Sequence, residues 1–148
     1  MMTTIALRFG ENFSPDCGTI AAHQQLIDKL GYVWYGKMGN PIAARIVGEL
    51  KNQRDTKILL INSGKANRYW AHVEEVSKET PPTEGIPEYY RNLTERFKTW
   101  FKVTEFEPAP CDIMSKCFVK SSGNTLSAVS RHSINPYFII EYNEDEVN

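Results

Sequence analysis

Cysteine is scarce in this chain and comes in an odd number. Three of the 148 residues are cysteines, Cys17, Cys111 and Cys117, and no export signal accompanies them, so reduced thiols are expected in place of a disulfide framework. Cys111 and Cys117 lie six positions apart. A zinc-binding pair has about two to four intervening residues and needs a second pair elsewhere, so even with His23, His72 and His132 as donors no metal site is expected. Long apolar runs are missing too: none approaches the ~18 residues of a membrane span, and MMTTIALRFG has neither the basic flank nor the apolar core of a signal peptide. A cytoplasmic protein with no membrane partner is the expectation. Neither sign of charge dominates, the net being −1.

Catalytic patterns are equally sparse. No serine or cysteine stands in a nucleophile elbow, and Ser130-Arg131-His132 is a tripeptide without a mechanism of its own. Glu74 and Glu75 are neighbours on an extended segment and so point to opposite faces. The NSGKAN stretch contains Ser-Gly-Lys but lacks the earlier glycine and the following Ser/Thr of a phosphate loop. No catalytic residue and no cofactor are assigned, and the function expected is a binding one.

What the chain does have is enough apolar content, 41 % against 24 % charged, for one ordinary globular domain over residues 1–148. Its organising stretch is KILLINSGKANRYWAHVEEV, Lys57 to Val76. Ile58 to Ile61 reads as a strand covered on both faces, the polar connection from Asn62 to Arg68 as a turn, and the segment from Tyr69 and Trp70 as a half-exposed partner. Before it come a strand, Thr3 to Phe9, a loop to Gly18, a helix capped by Thr19 and stopped at Gly31, a short strand, Gly31 to Gly39, and a second helix started by Asn40-Pro41 and carrying Ile42, Ile46 and Leu50.

After it come a proline-rich loop, Lys78 to Pro87, a helical pattern, Glu88 to Phe97, and an alternating strand, Lys98 to Glu107. In that strand Phe101 and Val103 share the buried face, and Lys98, Trp100, Lys102 and Thr104 the more polar one. A helical turn at Asp112 to Cys117, a hairpin from Phe118 to Val129 about Ser122-Gly123-Asn124, and a strand from Tyr137 to Tyr142 complete the order. The class is α+β: a curved, barrel-like mixed sheet with about three short helices, since strict β-α alternation stops after Lys57.

Charge is distributed unevenly. Between Lys29 and Arg68 eight cations face two anions, while acidic residues gather in Glu74 to Glu88 and Glu141 to Glu146; a positive block of this kind suits phosphate. Each tryptophan also has a cation within three positions: Lys37 after Trp34, Arg68 before Trp70, and Lys98 and Lys102 about Trp100. Aromatic faces stack on bases and neighbouring cations hold the backbone, as in single-strand and flipped-base readers. Tryptophans also anchor cores, and lysines keep strand edges soluble.

The GYVWYGKMG turn, the KILLINSGKANRYWAHVEEV hairpin and the FKTWFKVTEFE strand, in this order and spacing, resemble PUA-like domains and, within them, the EVE group related to YTH and ASCH domains. The resemblance implies a small curved barrel with an aromatic pocket for one base, often a modified one. The positions it points to are Trp34, Trp70 and Trp100 as pocket walls, Asn62 and Ser63 as base-edge partners, and Lys37, Lys65 and Arg68 as phosphate contacts, with nucleic acid as the partner. Two alternatives stand beside it: a small inhibitor or adaptor, for instance from a mobile element, that binds a protein partner through its acidic segments, and a small hydrolase.

Overall fold

The computed structural model describes residues 2–9, 16–62 and 67–146. Along the chain run β1 (Met2–Phe9), α1 (Thr19–Leu30), β2 (Val33–Met38), α2 (Ala44–Lys51), β3 (Lys57–Asn62) and β4 (Arg68–Ser77). Two 3-10 segments follow, Thr83–Gly85 and Glu88–Arg96, then β5 (Phe97–Pro108), α3 (Ile113–Lys116), β6 (Cys117–Val119), α4 (Leu126–Arg131), β7 (Tyr137–Tyr142) and a last 3-10 turn, Glu144–Glu146. The strands form one open sheet in the order β2-β5-β4-β3-β1-β7-β6. The class is mixed α+β, as expected, and the organising hairpin and the alternating strand are adjacent members of the same sheet.

The residues cluster into two compact units, each gathered from separate chain segments. One comprises residues 1–9, 57–70 and 107–148, the other residues 10–56 and 71–106. In the first, β1 pairs in parallel with β3, from Ala6↔Leu59 to Phe9↔Asn62, and antiparallel with β7, from Met2↔Tyr142 to Leu7↔Tyr137. A strand flanked on both sides and covered on both faces reads as an unbroken apolar run, which accounts for Ile58, Leu59, Leu60 and Ile61, all buried. The core of this unit joins Ala6, Leu59, Ile61, Trp70, Ile113, Cys117, Leu126, Phe138 and Tyr142. In the second unit, β2 pairs antiparallel with β5, and Trp34, Ile86, Tyr90, Phe97 and Trp100 form an aromatic core.

Four local expectations are corrected. The α1 cap is Gly18, one residue before Thr19, while Gly31 takes the left-handed conformation (φ 87°) that ends the helix and donates its N–H to Ile27 O. Helix α2 starts at Ala44, not at Pro41, because Ile42 serves as an extended anchor: it is buried, and its N–H donates to Thr99 Oγ1 at 3.1 Å. The Glu88–Arg96 segment is helical but wound as 3-10. The second arm of the expected Phe118 to Val129 hairpin is helix α4; after the turn at Gly123 a single bridge, Phe118↔Thr125, forms, and Thr125 Oγ1 then accepts the N–H of Ala128 and caps the helix.

Candidate functional site

The three tryptophans belong to two different cores. Trp34 on β2 and Trp100 on β5 share the aromatic core of the second unit, whereas Trp70 on β4 lies in the core of the first, its ring 5.1 Å from that of Tyr142. None of the three is more than 7 % exposed. The indole N–H groups of Trp70 and Trp100 are buried without an acceptor among the described residues.

Trp100 lies on the face expected of it, opposite Phe101 and Val103, but there that face is covered. Lys37 pairs with Thr99 but Met38 with Phe97, so β5 bulges at Lys98. The bulge leaves Lys98 exposed and brings Phe97 onto the face of Trp100, with ring centroids 5.1 Å apart. Phe101 and Val103 are buried on the opposite face, as expected, so β5 is covered on both.

The polar positions divide in the same way. Lys37 belongs to the second unit and is buried; its ammonium donates to Met38 O at 3.2 Å and Asn40 O at 2.8 Å, closing the turn at Gly39, and burial lowers its pKa. Asn62 ends β3 and Arg68 begins β4 in the first unit, both half-buried, and the Arg68 carbonyl accepts the N–H of Ala109. Ser63 and Lys65 lie outside the described residues. Cys17 and Cys111 are exposed thiols; Cys117 is buried, and desolvation pushes its pKa up to about 12, which makes it an inert core residue.

Sequence reasoning weighed the most distinctive polar group of the second unit only as a metal donor. His23, on α1, is fully buried in an aromatic cage, with ring centroids 5.0 Å from Tyr35 and Tyr90 and 6.2 Å from Tyr89 and Phe106. Its Nδ1–H donates to Thr19 O at 2.8 Å, which leaves Nε2 as a buried acceptor without a donor among the described residues. Burial pushes its pKa down to about 4 against a smaller opposing effect of the Thr19 bond, so the ring is neutral.

Tyr89 is shared between this cage and an open cavity of about 650 Å³. One wall is a face of α1 formed by Ala22, Gln25, Leu26 and Lys29; the other is Pro87, Glu88, Tyr89 and Arg91, with Cys17 completing the lining. The signal that would have found it is Tyr89-Tyr90-Arg91, the same aromatic-plus-cation pattern sought about the tryptophans, here carried by tyrosine.

The Pua-like family model matches residues 5–142. This chain belongs to the PUA-like family. Domains of the family generally bind RNA or other nucleic acid. Neither a curated protein nor a solved structure matches the chain. The PUA-like match runs from β1 to the last residue of β7. Among the described residues no helix is long and apolar enough to cross a membrane.

The cavity beside Tyr89 combines one aromatic wall residue with exposed cations. Its size lies within the ~300 to 1,000 Å³ of ligand pockets, which are walled by apolar and aromatic groups with a few polar ones. Lys29 and Arg91 are exposed and carry donors suited to a phosphate, Arg91 also donating to Ile86 O at 3.3 Å.

Proposed function

We propose that this chain is a non-enzymatic, cytoplasmic nucleic-acid reader of the EVE type that accepts a single, modified base without a cofactor. The observation that carries the reading is the cavity of about 650 Å³ in which Tyr89 supplies an aromatic wall and Lys29 and Arg91 supply cations. A base stacks on Tyr89, Gln25 and Glu88 offer partners for its edge, and Lys29 and Arg91 take the flanking phosphates. Trp34 and Trp100 back the aromatic cluster against which Tyr89 packs. In this reading Asn62, Ser63, Lys65 and Arg68 are further contacts of the nucleic acid, and Trp70 is a core residue of the first unit.

A panel of single- and double-stranded oligonucleotides carrying common base modifications tests the reading. Tyr89→Ala should weaken binding by ~1 to 3 kcal/mol and flatten the preference among bases. Each of Lys29→Ala and Arg91→Ala should weaken all sequences alike and reduce the salt slope by ~0.7 on single strands. A parent protein that binds none of the panel at low salt, or a folded Tyr89→Ala that binds like the parent, overturns it.

A further inference from the structure

The large apolar side chain most open to water in the described residues is Ile134, 99 % exposed; the next, Leu30, is 37 % exposed. A single exposed apolar residue is ordinary. This one differs in how it is held. Arg8, on β1, donates from Nε to Asn135 O at 2.9 Å and from a terminal nitrogen to both Ser130 O and Ser133 O at 2.8 Å. The Arg8 N–H donates to Pro136 O, and Asn135 N–H to Ser133 Oγ. The guanidinium rests 5.4 Å from the ring centroid of Phe138 on β7. The loop 130–136 is therefore pinned at four carbonyls, those on either side of Ile134 included, and the side chain between them is presented outward with no burial to show for it.

The surroundings indicate what it meets. From residue 113 to 140 the chain contains no Asp or Glu, while Lys116, Lys120 and Arg131 lie within it, beside His132. In a chain of net charge −1 this is the second cationic tract, distinct from the Lys29 to Arg68 block, and Lys120, Arg131 and His132 are exposed. Elements α3, β6 and α4, which carry the tract, contact one another within the first unit. A cationic stretch of chain with a pinned apolar tip matches a polyanion that also offers an apolar crevice, namely a stack of bases. Apolar side chains, isoleucine among them, wedge between base steps, while nearby cations hold the phosphates.

We propose that the 130–136 loop is a wedge element: Ile134 inserts between two adjacent bases of a bound nucleic acid and unstacks them, while Lys120 and Arg131 contact the flanking phosphates. The proposal rests on the nucleic-acid reading above and adds a second contact, in the other unit. Its test uses short RNA and DNA duplexes, and the corresponding single strands, with 2-aminopurine placed at successive positions, so that loss of stacking raises fluorescence on binding. The parent should give this rise at one step. Ile134→Ser should lose the rise and bind roughly ten- to a hundredfold more weakly, the range set by burying one such side chain. Ile134→Leu should retain both. Arg8→Lys, which keeps the charge but not the fork, should reduce the rise more than the affinity. An Ile134→Ser protein that binds and brightens the probe like the parent overturns the wedge and leaves the base-reading proposal standing; a parent that binds no oligonucleotide overturns both. Because Ile134 touches almost nothing, its variants should melt with the parent.

Discussion

The Lys57 ammonium sits 4.6 Å from the ring centroid of Trp70, thirteen residues further along the chain. Its nitrogen also lies 5.6 Å from the Tyr142 ring and 3.4 Å from a carboxylate oxygen of Glu144, on a side chain only 5 % exposed. A desolvated ammonium gains more from aromatic faces than an exposed one does, up to ~2 kcal/mol, whereas Glu144, half exposed, gives a screened pair.

The two contributions are separable. Lys57→Met keeps the stem and removes the charge, and should lower unfolding free energy by about 1 to 2 kcal/mol in urea titrations. Glu144→Gln should lower it by less than about 1 kcal/mol, with most of the effect gone at high salt. Equal losses from the two variants would assign the stabilisation to the ion pair, not to the rings.

Two glycines should respond to alanine with opposite sign. Gly36 lies opposite Trp100 in the β2–β5 register, and a Cβ there would come 2.7 Å from Cγ and Cδ1 of Phe97. Those atoms are at the root of a buried ring and cannot swing away, so Gly36→Ala should destabilise by about 1 to 3 kcal/mol. At Gly48, inside α2, a Cβ meets nothing within 4 Å. Gly48→Ala should stabilise by roughly 0.5 to 1 kcal/mol. Melting curves of the two variants decide it.

Acid should weaken the fold through His23. Its pKa is about 4 when folded, against the ordinary 6.5, so between these values the unfolded chain binds the extra proton and stability rises with pH. Lowering the pH from about 7 to about 5 should remove roughly 2 kcal/mol by this route. In His23→Phe that part of the pH dependence should vanish, as read from denaturant titrations at each pH. An unchanged slope would mean that other groups carry the acid sensitivity.

What the sequence shows well is what neighbours along the chain decide. The alternation of β5 at Phe101 and Val103, the apolar run of β3 and the glycine stop at Gly31 depend on residues a few positions apart, and each is found where the pattern put it. The misses involve partners distant in sequence. Ile42 is extended because Thr99 takes its N–H. Trp100 packs against Phe97, which a bulge at Lys98 turns onto its face. The cation over the Trp70 ring is Lys57, and Lys102 sits 4.7 Å from the ring centroid of Tyr32, pairings that adjacency to a tryptophan does not reveal. The His23 cage draws on four segments, α1, β2, the 88–96 turn and β5, so no single window of sequence contains it.

The pairing of β1 with β7 also sets an order of events during synthesis. Strand β1 is made before β3 and can meet it after residue 62, but its other edge stays open until residues 137–142 exist. Every residue of the second unit has been made by then. At ~5 to 20 residues per second the wait is on the order of ten seconds, during which Ile5, Ala6 and Leu7 have an unfilled strand edge beside them. An edge left open in this way invites misassembly during translation, so the yield should depend on how quickly residues 107–142 are translated as well as on the stability of the finished fold.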